Sequence, residues 1–464
     1  MRMPNSREMS KEQKKIYLDA PLDGSVLVTG PPGTGKTVIA FLRAQTVAKL
    51  GGEASVVMYN RVLSRYTSNV GENNFNSTTL HKWVDKWWKG IAFSGELDED
   101  ELDEVDTVFL ECPFDEKDKA KALGARWDRT KKKWYVSGEK YRKNKSVFQR
   151  WDPNSGILVL PTLPDDKWRH DWDKVLEVIV SEEKKGSIKK CDINWGHLII
   201  DEAQDFPKNM FQTFALITQL LFKNESDTSC PAITIFADQN QRIWPHNSTI
   251  ADIKKALLLS DNRVYSLTRN YRNSLQIARL ASKFCTEVSN KPDLPTKEND
   301  LPKLVEVEKL DDAVEYIYRY AVNRENEEIG VITQNDKIRK KFVTLLNNKI
   351  ETENTRLTLQ SYSNKDKTCN NSDEMNFDTG GMITVINKQS CKGLEFDAVF
   401  LPELQSISVA PEDKDQFMMD MYVMISRARR MLVLMITNVG ESQPAILSNI
   451  PDKNSGLLEY VYAK

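Results

Sequence analysis

Long apolar runs are missing from this chain of 464 residues. No stretch approaches the roughly 20 consecutive apolar residues that a membrane-spanning helix needs. The amino-terminal segment contains Arg2, Arg7 and several lysines, but it lacks the apolar centre of a signal peptide. We therefore expect a protein that has no membrane partner and remains in the cytoplasm.

Cysteine is scarce, and an excess of one charge is absent. The six cysteines stand far apart and form no C-x-x-C pair, which argues against a disulfide framework or a zinc knuckle. Lysine and arginine total 65 against 67 aspartate and glutamate residues, a net charge of −2. Any binding to nucleic acid must therefore depend on a local basic face rather than on the field of the whole protein.

Short apolar runs alternate with helix-compatible segments along most of the chain. Nearly continuous apolar strands separated by helices indicate parallel sheets that are covered on both faces. We therefore expect an α/β fold with two parallel-sheet domains, connected by the proline-rich and charged residues 291–302. The apolar runs are residues 26–28, 56–58, 198–200, 233–236, 329–332, 383–386, 398–401 and 432–436.

The alternation stops between residues 90 and 195, which indicates an insertion in the first domain. The predicted division is a first domain of residues 1–90 and 195–290, an insertion of residues 91–194, and a second domain of residues 291–464. Within the insertion, residues 96–106 form an acidic block that we expect to be a solvated linker.

Residues 109–151 of the insertion combine basic and aromatic side chains. Aromatic rings that stack on bases, together with cations on phosphates, are how single strands are held. Alternatively, the aromatic residues form the core of a small folded α+β module. Both interpretations stay open, and they can hold together. The candidate strand-binding cations are Lys131, Lys132 and Lys133, and the interleaved aromatics are Trp127, Trp134, Tyr135, Tyr141, Phe148 and Trp151.

Residues 30–37 read GPPGTGKT and match the phosphate-binding pattern G-x-x-x-x-G-K-[ST] at every fixed position. An apolar run enters this loop and a helix-compatible segment leaves it. The glycines let backbone N–H groups turn toward phosphate oxygens, and the start of the helix adds its positive dipole end. We expect ATP and Mg²⁺ as ligands, with Lys36 on the β- and γ-phosphates and the Thr37 hydroxyl on the ion. The candidate cofactor-binding residues of the loop are Gly30, Pro31, Pro32, Gly33, Thr34, Gly35, Lys36 and Thr37.

The acidic sequence DEAQD at residues 201–205 directly follows a predicted strand. Ligands of α/β sheets lie at the carboxyl ends of strands, so both leading carboxylates are placed beside the phosphate loop. Asp201 can hold Mg²⁺ through water, and Glu202 can orient and deprotonate an attacking water.

Further motifs follow these two in a fixed order, and together they resemble superfamily 1 helicases of the UvrD/Rep type. This resemblance implies two RecA-like domains, ATP in the cleft between them, and single-stranded nucleic acid across their top. The matching segments are GPPGTGKT (30–37), TTLHKW (78–83), DEAQD (201–205), IFADQNQRIW (235–244), LTRNYRN (267–273), KGLEFDAVFLPE (392–403) and YVMISRARRMLVL (422–434).

The resemblance also implies roles for individual residues around the nucleotide. Gln13 is similar to the glutamine that reads adenine, Tyr271 to the tyrosine that stacks on it, and Glu395 to a glutamate near the sugar. Three further residues are similar to groups that reach the γ-phosphate in catalysis, namely Gln241, Arg272 and Arg427. The neighbouring Arg429 and Arg430 are assigned to ordinary surface salt bridges.

Strand contacts are implied in the same way for Tyr59, Asn60, Thr79, His81 and Trp244. Two departures from the family pattern affect this part of the prediction. His246 stands where the family often has a tryptophan, which puts base stacking there in doubt. Asn387 and Gln389 replace the usual threonine and histidine, so strand contacts at that turn are expected to be altered.

The architecture departs from the family as well. The sequence leaves no room for the second, domain-sized insertion of the larger members. The stretch KAKALGARWDRTKKKWYV, within residues 109–151, resembles a small uncharacterised module found on primase-like and conjugation proteins.

Two functions follow as expectations. The first is an ATP-dependent translocase or helicase on single-stranded DNA, with 3′–5′ polarity implied only by the resemblance. The alternative is an ATP-gated nucleic-acid sensor or regulatory ATPase subunit that does not separate strands, with a protein partner such as a nuclease in a defence system against phage. RNA stays open as a substrate, because no residue recognisably reads a 2′-hydroxyl.

Overall fold

A computed structural model gives the fold of the chain as two compact units. The first contains Met1–Trp83, Trp195–Phe211 and Ser226–Lys464, and the second contains Val84–Asn194 and Gln212–Glu225. The structure describes residues 9–58, 75–91, 107–129, 131–151, 160–223, 230–241, 247–285, 293–363, 366, 369–370, 374–377, 379–407, 409–437 and 444–463.

The strands and α-helices of both units have the following bounds. The strands are β1 (Ser25–Thr29), β2 (Ala54–Met58), β3 (Asn76–Thr79), β4 (Thr107–Leu110), β5 (Arg126–Asp128), β6 (Lys133–Ser137), β7 (Thr162–Leu163), β8 (Asp166–His170), β9 (His197–Ile200), β10 (Ala232–Ala237), β11 (Val264–Ser266), β12 (Lys303–Val307), β13 (Ile329–Thr333), β14 (Thr358–Tyr362), β15 (Met382–Asn387), β16 (Phe396–Leu401), β17 (Ala428–Thr437) and β18 (Glu459–Tyr462). The α-helices are α1 (Lys11–Asp19), α2 (Lys36–Lys49), α3 (Leu80–Gly90), α4 (Lys117–Ala122), α5 (Gly138–Lys143), α6 (Lys145–Phe148), α7 (Trp172–Lys184), α8 (Lys190–Ile193), α9 (Lys208–Leu221), α10 (Ile250–Ala256), α11 (Leu275–Ala281), α12 (Leu310–Val322), α13 (Asp336–Glu353) and α14 (Lys414–Ile425).

Two parallel sheets organise the first unit. The described strands of one sheet run in the order β11-β1-β10-β9-β2-β3, and those of the other in the order β14-β15-β13-β16-β17-β12-β18. The predicted α/β class with two parallel sheets is thereby confirmed. Each of the eight apolar runs lies within a strand of these sheets.

Sequence analysis did not predict β3, β11, β12, β14 and β18. Four of these are edge strands, and β12 pairs with the edge strand β18. The central strand β9 is buried along its whole length, whereas β18 is largely exposed. An edge strand faces water on one side and therefore carries polar residues such as those of NSTT or EYVY, which hide it from a search for apolar runs.

Apolar side chains cover both faces of the second sheet. Helices α12 and α13 pack on one face through Ile317 and Phe342, which are buried against Val331 and Val385. On the other face, α14 packs together with α11. Helix α11 precedes the predicted domain boundary near residue 290, yet it contributes to this second core.

The same turn follows a central strand in both sheets. After β9, Glu202 adopts a left-handed φ of 53°, and Gln204 Oε1 accepts a hydrogen bond from the backbone N–H that follows the adjacent strand (2.9 Å). After β16, Glu403 adopts a φ of 57°, and Gln405 Oε1 accepts from the backbone N–H at the end of the adjacent strand (3.1 Å). A short 3-10 turn comes next in each case.

The second unit has an aromatic helical core and a small antiparallel sheet. Phe214 packs edge-on against Trp87 and Trp172, with ring centroids 6.2 and 5.4 Å away. The Trp87 indole N–H donates to the carbonyl of Ile193 (2.9 Å), which satisfies its polar atom inside the core. The small sheet has the order β4-β6-β5.

Across all described residues, we find no helix with the length and apolar character needed to cross a membrane.

His197, at the start of β9, gives a testable link between pH and stability. Burial, with the nearby Arg43 guanidinium, lowers the pKa of His197 to about 4, whereas an unfolded histidine titrates near ~6.5. At a pH between these two pKa values, His197 is protonated in the unfolded chain but neutral in the folded chain. The free energy of unfolding should therefore fall by up to about 3 kcal/mol as the pH decreases through that window.

Urea unfolding of the wild type and of His197→Gln at pH 7.5 and pH 5 tests this prediction. Glutamine can still hydrogen-bond to Thr234, whose hydroxyl lies 2.8 Å from the histidine ring, but it does not titrate. The variant should lose less stability on acidification, because every other titrating group is common to both proteins. Equal losses would show that His197 does not carry the effect.

Candidate functional site

The candidate site lies at the carboxyl ends of four adjacent strands of the first sheet. The register aligns Thr29 of β1 with Ala237 of β10 and Ser266 of β11, and Ile235 of β10 with Ile200 of β9. The phosphate loop follows β1, the DEAQD sequence follows β9, and DQNQ and NYR follow β10 and β11. Parallel pairing therefore brings together motifs that are far apart in sequence.

Glycine is required at two positions of the loop between β1 and α2. Gly33 and Gly35 have φ angles of 77° and 88°, in the left-handed region. A Cβ atom at Gly33 would lie 2.4 Å from the Asn270 side-chain oxygen, and one at Gly35 would lie 2.7 Å from the Gln13 amide nitrogen. Both the backbone conformation and the space thus exclude side chains at these two positions.

Lys36 is buried in the curve of this loop. Its ammonium group donates to the carbonyl oxygens of Gly30 (2.6 Å) and Pro31 (3.1 Å), and the Thr34 hydroxyl also donates to Pro31 (2.9 Å). The charge is therefore held by neutral carbonyls at the loop itself. A buried ammonium group with neutral partners can pair with an anion placed in the loop.

Thr37 and Asp201 form the oxygen-rich part of the site. The Thr37 hydroxyl donates to Asp201 Oδ2 (2.6 Å), and Asp201 is fully buried at the end of β9. Burial and the adjacent Glu202 raise the pKa of Asp201 to about 6. A hydroxyl and a carboxylate are ligands that Mg²⁺ accepts when water and phosphate complete its shell. The described residues contain no cluster of three or more metal-ligating side chains.

Glu202 is held as a carboxylate in a fixed position. Burial favours its neutral form, but the charges of Lys392 and Lys36 outweigh burial and lower its pKa. Gln204 Nε2 donates to Glu202 Oε2 (2.6 Å) and fixes the side chain. The left-handed backbone of this non-glycine residue costs about 1–3 kcal/mol, and the surrounding hydrogen bonds maintain it.

Lys392 reaches this edge from the turn that leads into β16 of the second sheet. Its ammonium group donates to Asp205 Oδ2 and to the Gln241 carbonyl, both at 2.5 Å, and lies 3.9 Å from Glu202 Oε2. Only 2% of the lysine side chain is exposed. A buried cation from one sheet thus neutralises carboxylates of the other.

Arg427 makes a second connection between the sheets. It directly precedes β17, is buried, and donates from Nη2 to Gln241 Oε1 (2.6 Å). Gln241 in turn donates to Asp238 Oδ2 (2.7 Å). Burial and the neighbouring Arg272 lower the pKa of the Arg427 guanidinium.

Arg272 and Glu395 form a third connection. Arg272 Nε donates to Glu395 Oε2 (2.6 Å), and Arg429 Nη2 donates to Glu395 Oε1 (2.8 Å). Burial opposes ionisation, but these two guanidinium groups dominate and hold the pKa of Glu395 at about 2. The assignment of Arg429 to the surface is therefore wrong, because it also bridges to Glu328 and its side chain is partly buried. Arg430 is 56% exposed and fits that assignment.

Gln13 and Tyr271 meet successive residues of the phosphate loop. Gln13 lies in the first turn of α1 and forms a capping box with Ser10, and its side-chain amide donates to the carbonyl of Thr34 (2.9 Å). The backbone N–H of Tyr271 donates to the carbonyl of Gly33 (2.8 Å), and its side chain is 47% exposed. The amide of Gln13 and the accessible ring of Tyr271 thus belong to residues that contact neighbouring positions of the loop.

The structure describes only some of the predicted nucleic-acid residues. Tyr59, Asn60 and Trp244 lie outside the described residues, as does His246. Thr79 is the last residue of β3 and is buried, and His81 is exposed in the first turn of α3. A contact of either one with a strand stays a prediction.

Sequence reasoning assigned no role to several residues that shape the site. The DEAQD motif contained two of them, and the KGLE motif contained Lys392, but their partners lie far along the chain and no spacing rule reveals such pairs. The residues are Gln204, Asp205, Asp238, Lys392 and Arg429.

Comparisons with known proteins add a match inside the second unit. Residues 107–153 match the family model of a domain of unknown function (DUF5710), a range that coincides with the predicted module. No curated protein matches the chain. Among solved structures, the chain is similar to the C-terminal domain of a possible DNA helicase from Lactobacillus plantarum WCFS1. The identity is 18%, the match covers 42% of this chain and 99% of that one, and the TM-score is 0.29.

Removal of Lys392 should destabilise the fold more than an ordinary salt-bridge deletion. Lys392→Met leaves Asp205 buried without its cation, at an expected cost of about 3–5 kcal/mol in the free energy of unfolding. Adding Asp205→Asn removes the buried negative charge and should restore most of the lost free energy of unfolding. Urea unfolding of both single variants and the double variant measures the coupling.

Lys388→Met is the matched control in the same turn. Lys388 pairs with Asp420, but 32% of its side chain is exposed, so its removal should cost less than about 1 kcal/mol. If the two lysine variants lost equal stability, or if the double variant recovered nothing, the buried pair would not be the connection described here.

Proposed function

We propose that this protein is an ATP-dependent translocase or helicase on single-stranded DNA, built like superfamily 1 helicases of the UvrD/Rep type. The observation that carries the proposal is the pair of cross-sheet contacts made by Lys392 and Arg427. Both residues come from the second sheet and contact Asp205 and Gln241 at the carboxyl edge of the first. Movement between the sheets would make and break these contacts.

The residues of the loop suit a nucleoside triphosphate with Mg²⁺. Gly33 and Gly35 give the loop its left-handed turns, and Lys36 offers a buried ammonium group within the loop. Thr37 and Asp201 would hold the ion, because their oxygens already lie 2.6 Å apart. When bound, Mg²⁺ and ATP supply the phosphoryl group for transfer and much of the charge neutralisation it needs.

The base and sugar have candidate partners around the same loop. The Gln13 amide donates to the carbonyl of Thr34. It could instead bond to polar atoms of adenine, because an amide is both a donor and an acceptor. The exposed ring of Tyr271 can stack on a base. Glu395, held by Arg272, would face the sugar as the resemblance implies.

Glu202 would orient the water in hydrolysis. Its lowered pKa keeps it ionised at neutral pH, and Gln204 fixes its direction. Gln241, Arg272 and Arg427 would face the charge that develops on the transferred group, and guanidinium groups are suited to this task. An arginine delivered from a facing domain is worth roughly 10³–10⁵ in rate. Hydrolysis would thereby depend on closure of the cleft.

ATPase assays with and without single-stranded DNA test the motor. We expect single-stranded DNA to stimulate the wild type, Lys36→Ala to lose ATP binding, and Glu202→Gln to bind ATP while its turnover falls about 10²–10⁴-fold. Arg427→Ala should lower kcat by about 10³ or more. Arg430→Ala, a neighbouring exposed arginine, is the matched control and should retain full activity. A rate that single-stranded DNA does not change would refute the motor.

The second candidate is an ATP-gated sensor or regulatory ATPase subunit that closes on nucleic acid without separating strands. One observation favours it: α13, β14 and a polar segment are all the described structure between β13 and β15, with no domain-sized insertion there. Such a protein would show strand-dependent hydrolysis and would act through a partner such as a nuclease.

Forked substrates distinguish the two candidates. The motor should displace the strand from a duplex with a 3′ tail and leave a duplex with a 5′ tail intact, because the resemblance implies 3′–5′ movement. The sensor should hydrolyse ATP on both and separate neither. A parallel panel of RNA substrates shows which nucleic acid stimulates turnover, and co-purification from the native host identifies a partner.

A further inference from the structure

The module of residues 107–151 has a packed face and an outer face. Its helices cover one face of the β4-β6-β5 sheet, so part of the aromatic set forms the predicted core. Tyr141, Phe148 and Trp151 are buried there, whereas Trp127 is 48% exposed. The core cluster consists of Val108, Leu110, Ala120, Ala125, Val136, Tyr141, Phe148 and Trp151.

Strand register directs a different set of side chains to the outer face. Val108 and Val136 are paired and point inward, so Phe109 and Tyr135, one residue away on each strand, point outward. Arg126 of β5 is paired with Tyr135 and completes a row across all three strands. The rings of Phe109 and Tyr135 have centroids 6.1 Å apart, and both are only partly buried.

Cations surround this aromatic row. The Lys131 ammonium lies 4.1 Å from the Phe109 ring centroid, and Lys133 lies on the same face of β6. Two carboxylates are also present: Glu111 pairs with Lys133 (3.0 Å), and Asp128 accepts from the backbone N–H of Lys131 (3.0 Å). Lys132 is exposed in the turn with a left-handed φ of 51°.

The module is far more basic than the chain. Residues 107–151 contain thirteen lysine and arginine residues against six aspartate and glutamate residues, a net charge of +7, while the whole chain carries −2. Partly exposed rings in a cationic setting fit a ligand that has both aromatic faces and regularly spaced negative charges.

We propose that the outer face, defined by Phe109, Arg126, Lys131, Lys133 and Tyr135, is a binding surface for single-stranded nucleic acid. Unstacked bases would lie on the two rings while the cations contact phosphates. A duplex keeps its base faces stacked inside and would gain only the charge interaction. The outer face uses no residue of the phosphate loop, so its binding requires no nucleotide.

Fluorescence anisotropy of labelled oligo(dT), with the full-length protein, tests this assignment. The Lys36→Ala background removes ATP-dependent changes from the measurement. Phe109→Leu combined with Tyr135→Leu should weaken binding about tenfold or more, because each stacked base contributes several-fold in affinity. Arg126→Gln with Lys131→Gln should reduce the slope of log Kd against log salt concentration by about 1.4.

Matched controls remove charge from the helical side of the same module. Lys119 and Lys143 are exposed on α4 and α5 and make only surface salt bridges. Their double glutamine variant should change affinity less than twofold. Basal ATPase activity without nucleic acid, measured with Lys36 intact, should be the same in this control variant as in the wild type. A failure of the proposed motor would appear as an ATPase rate that single-stranded DNA does not change. It would leave the binding differences unaltered, because these are measured in the Lys36→Ala background.

Glu111→Gln offers a test in the opposite direction. It frees Lys133 from its carboxylate partner and should tighten oligo(dT) binding several-fold without touching either ring. Heparin, a polyanion without bases, should bind the leucine variants as well as it binds the wild type.

Three outcomes would overturn the assignment. One is unchanged oligo(dT) affinity in the leucine variant, which would relegate the rings to structure. Another is equal affinity for duplex and single strand with sensitivity to the lysines alone, which would mean a general polyanion surface. The third is equal weakening by the helical control. Oligo(U) in parallel shows whether RNA is held as well as DNA.

Discussion

The buried ammonium group of Lys392 is the constraint on which the arrangement of the first unit depends. An ion of this kind loses its hydration at a cost of several kcal/mol, and only well-placed partners offset it. Those partners, Asp205 and the Gln241 carbonyl, belong to the other sheet. The position of the second sheet and the charge state of the carboxylate edge therefore determine each other.

Glu202 shows how far that dependence reaches. Its carboxylate is buried and would favour the neutral form alone, yet cations from the second sheet and from the phosphate loop keep it ionised. Separation of the sheets would remove Lys392 and raise the pKa of Glu202. The ionised state of Glu202 thus depends on the contact between the two sheets rather than on the DEAQD sequence alone.

Much of the fold could be predicted because central parallel strands are buried on both faces. Such strands are continuous apolar runs, and all eight runs proved to be strands. Edge strands escaped prediction since half of each faces water. At the site, the positions of the loop after β1 and of the acidic pair after β9 could be predicted because each directly follows an apolar strand. Contacts such as Lys392 with Asp205 span 187 positions and exist only through tertiary packing.

The inserted module shows the same limit at a smaller scale. Composition indicated both a core of aromatic residues and a strand-binding surface, and could not divide the rings between them. The alternation of side chains along β6 makes that division, since Tyr135 faces outward while Val136 faces the core. A shift of one residue in register would exchange the two sets.

The turn that follows both β9 and β16 has the same backbone in the two sheets but a different side chain before the glutamate. Both sheets retain the left-handed glutamate and the glutamine clamp, but the position before the glutamate is Asp201 in one and Pro402 in the other. The proline side chain offers no oxygen to a cation, so the second sheet keeps the turn and its glutamate without the preceding carboxylate. The same turn thus carries two adjacent carboxylates in the first sheet and one in the second.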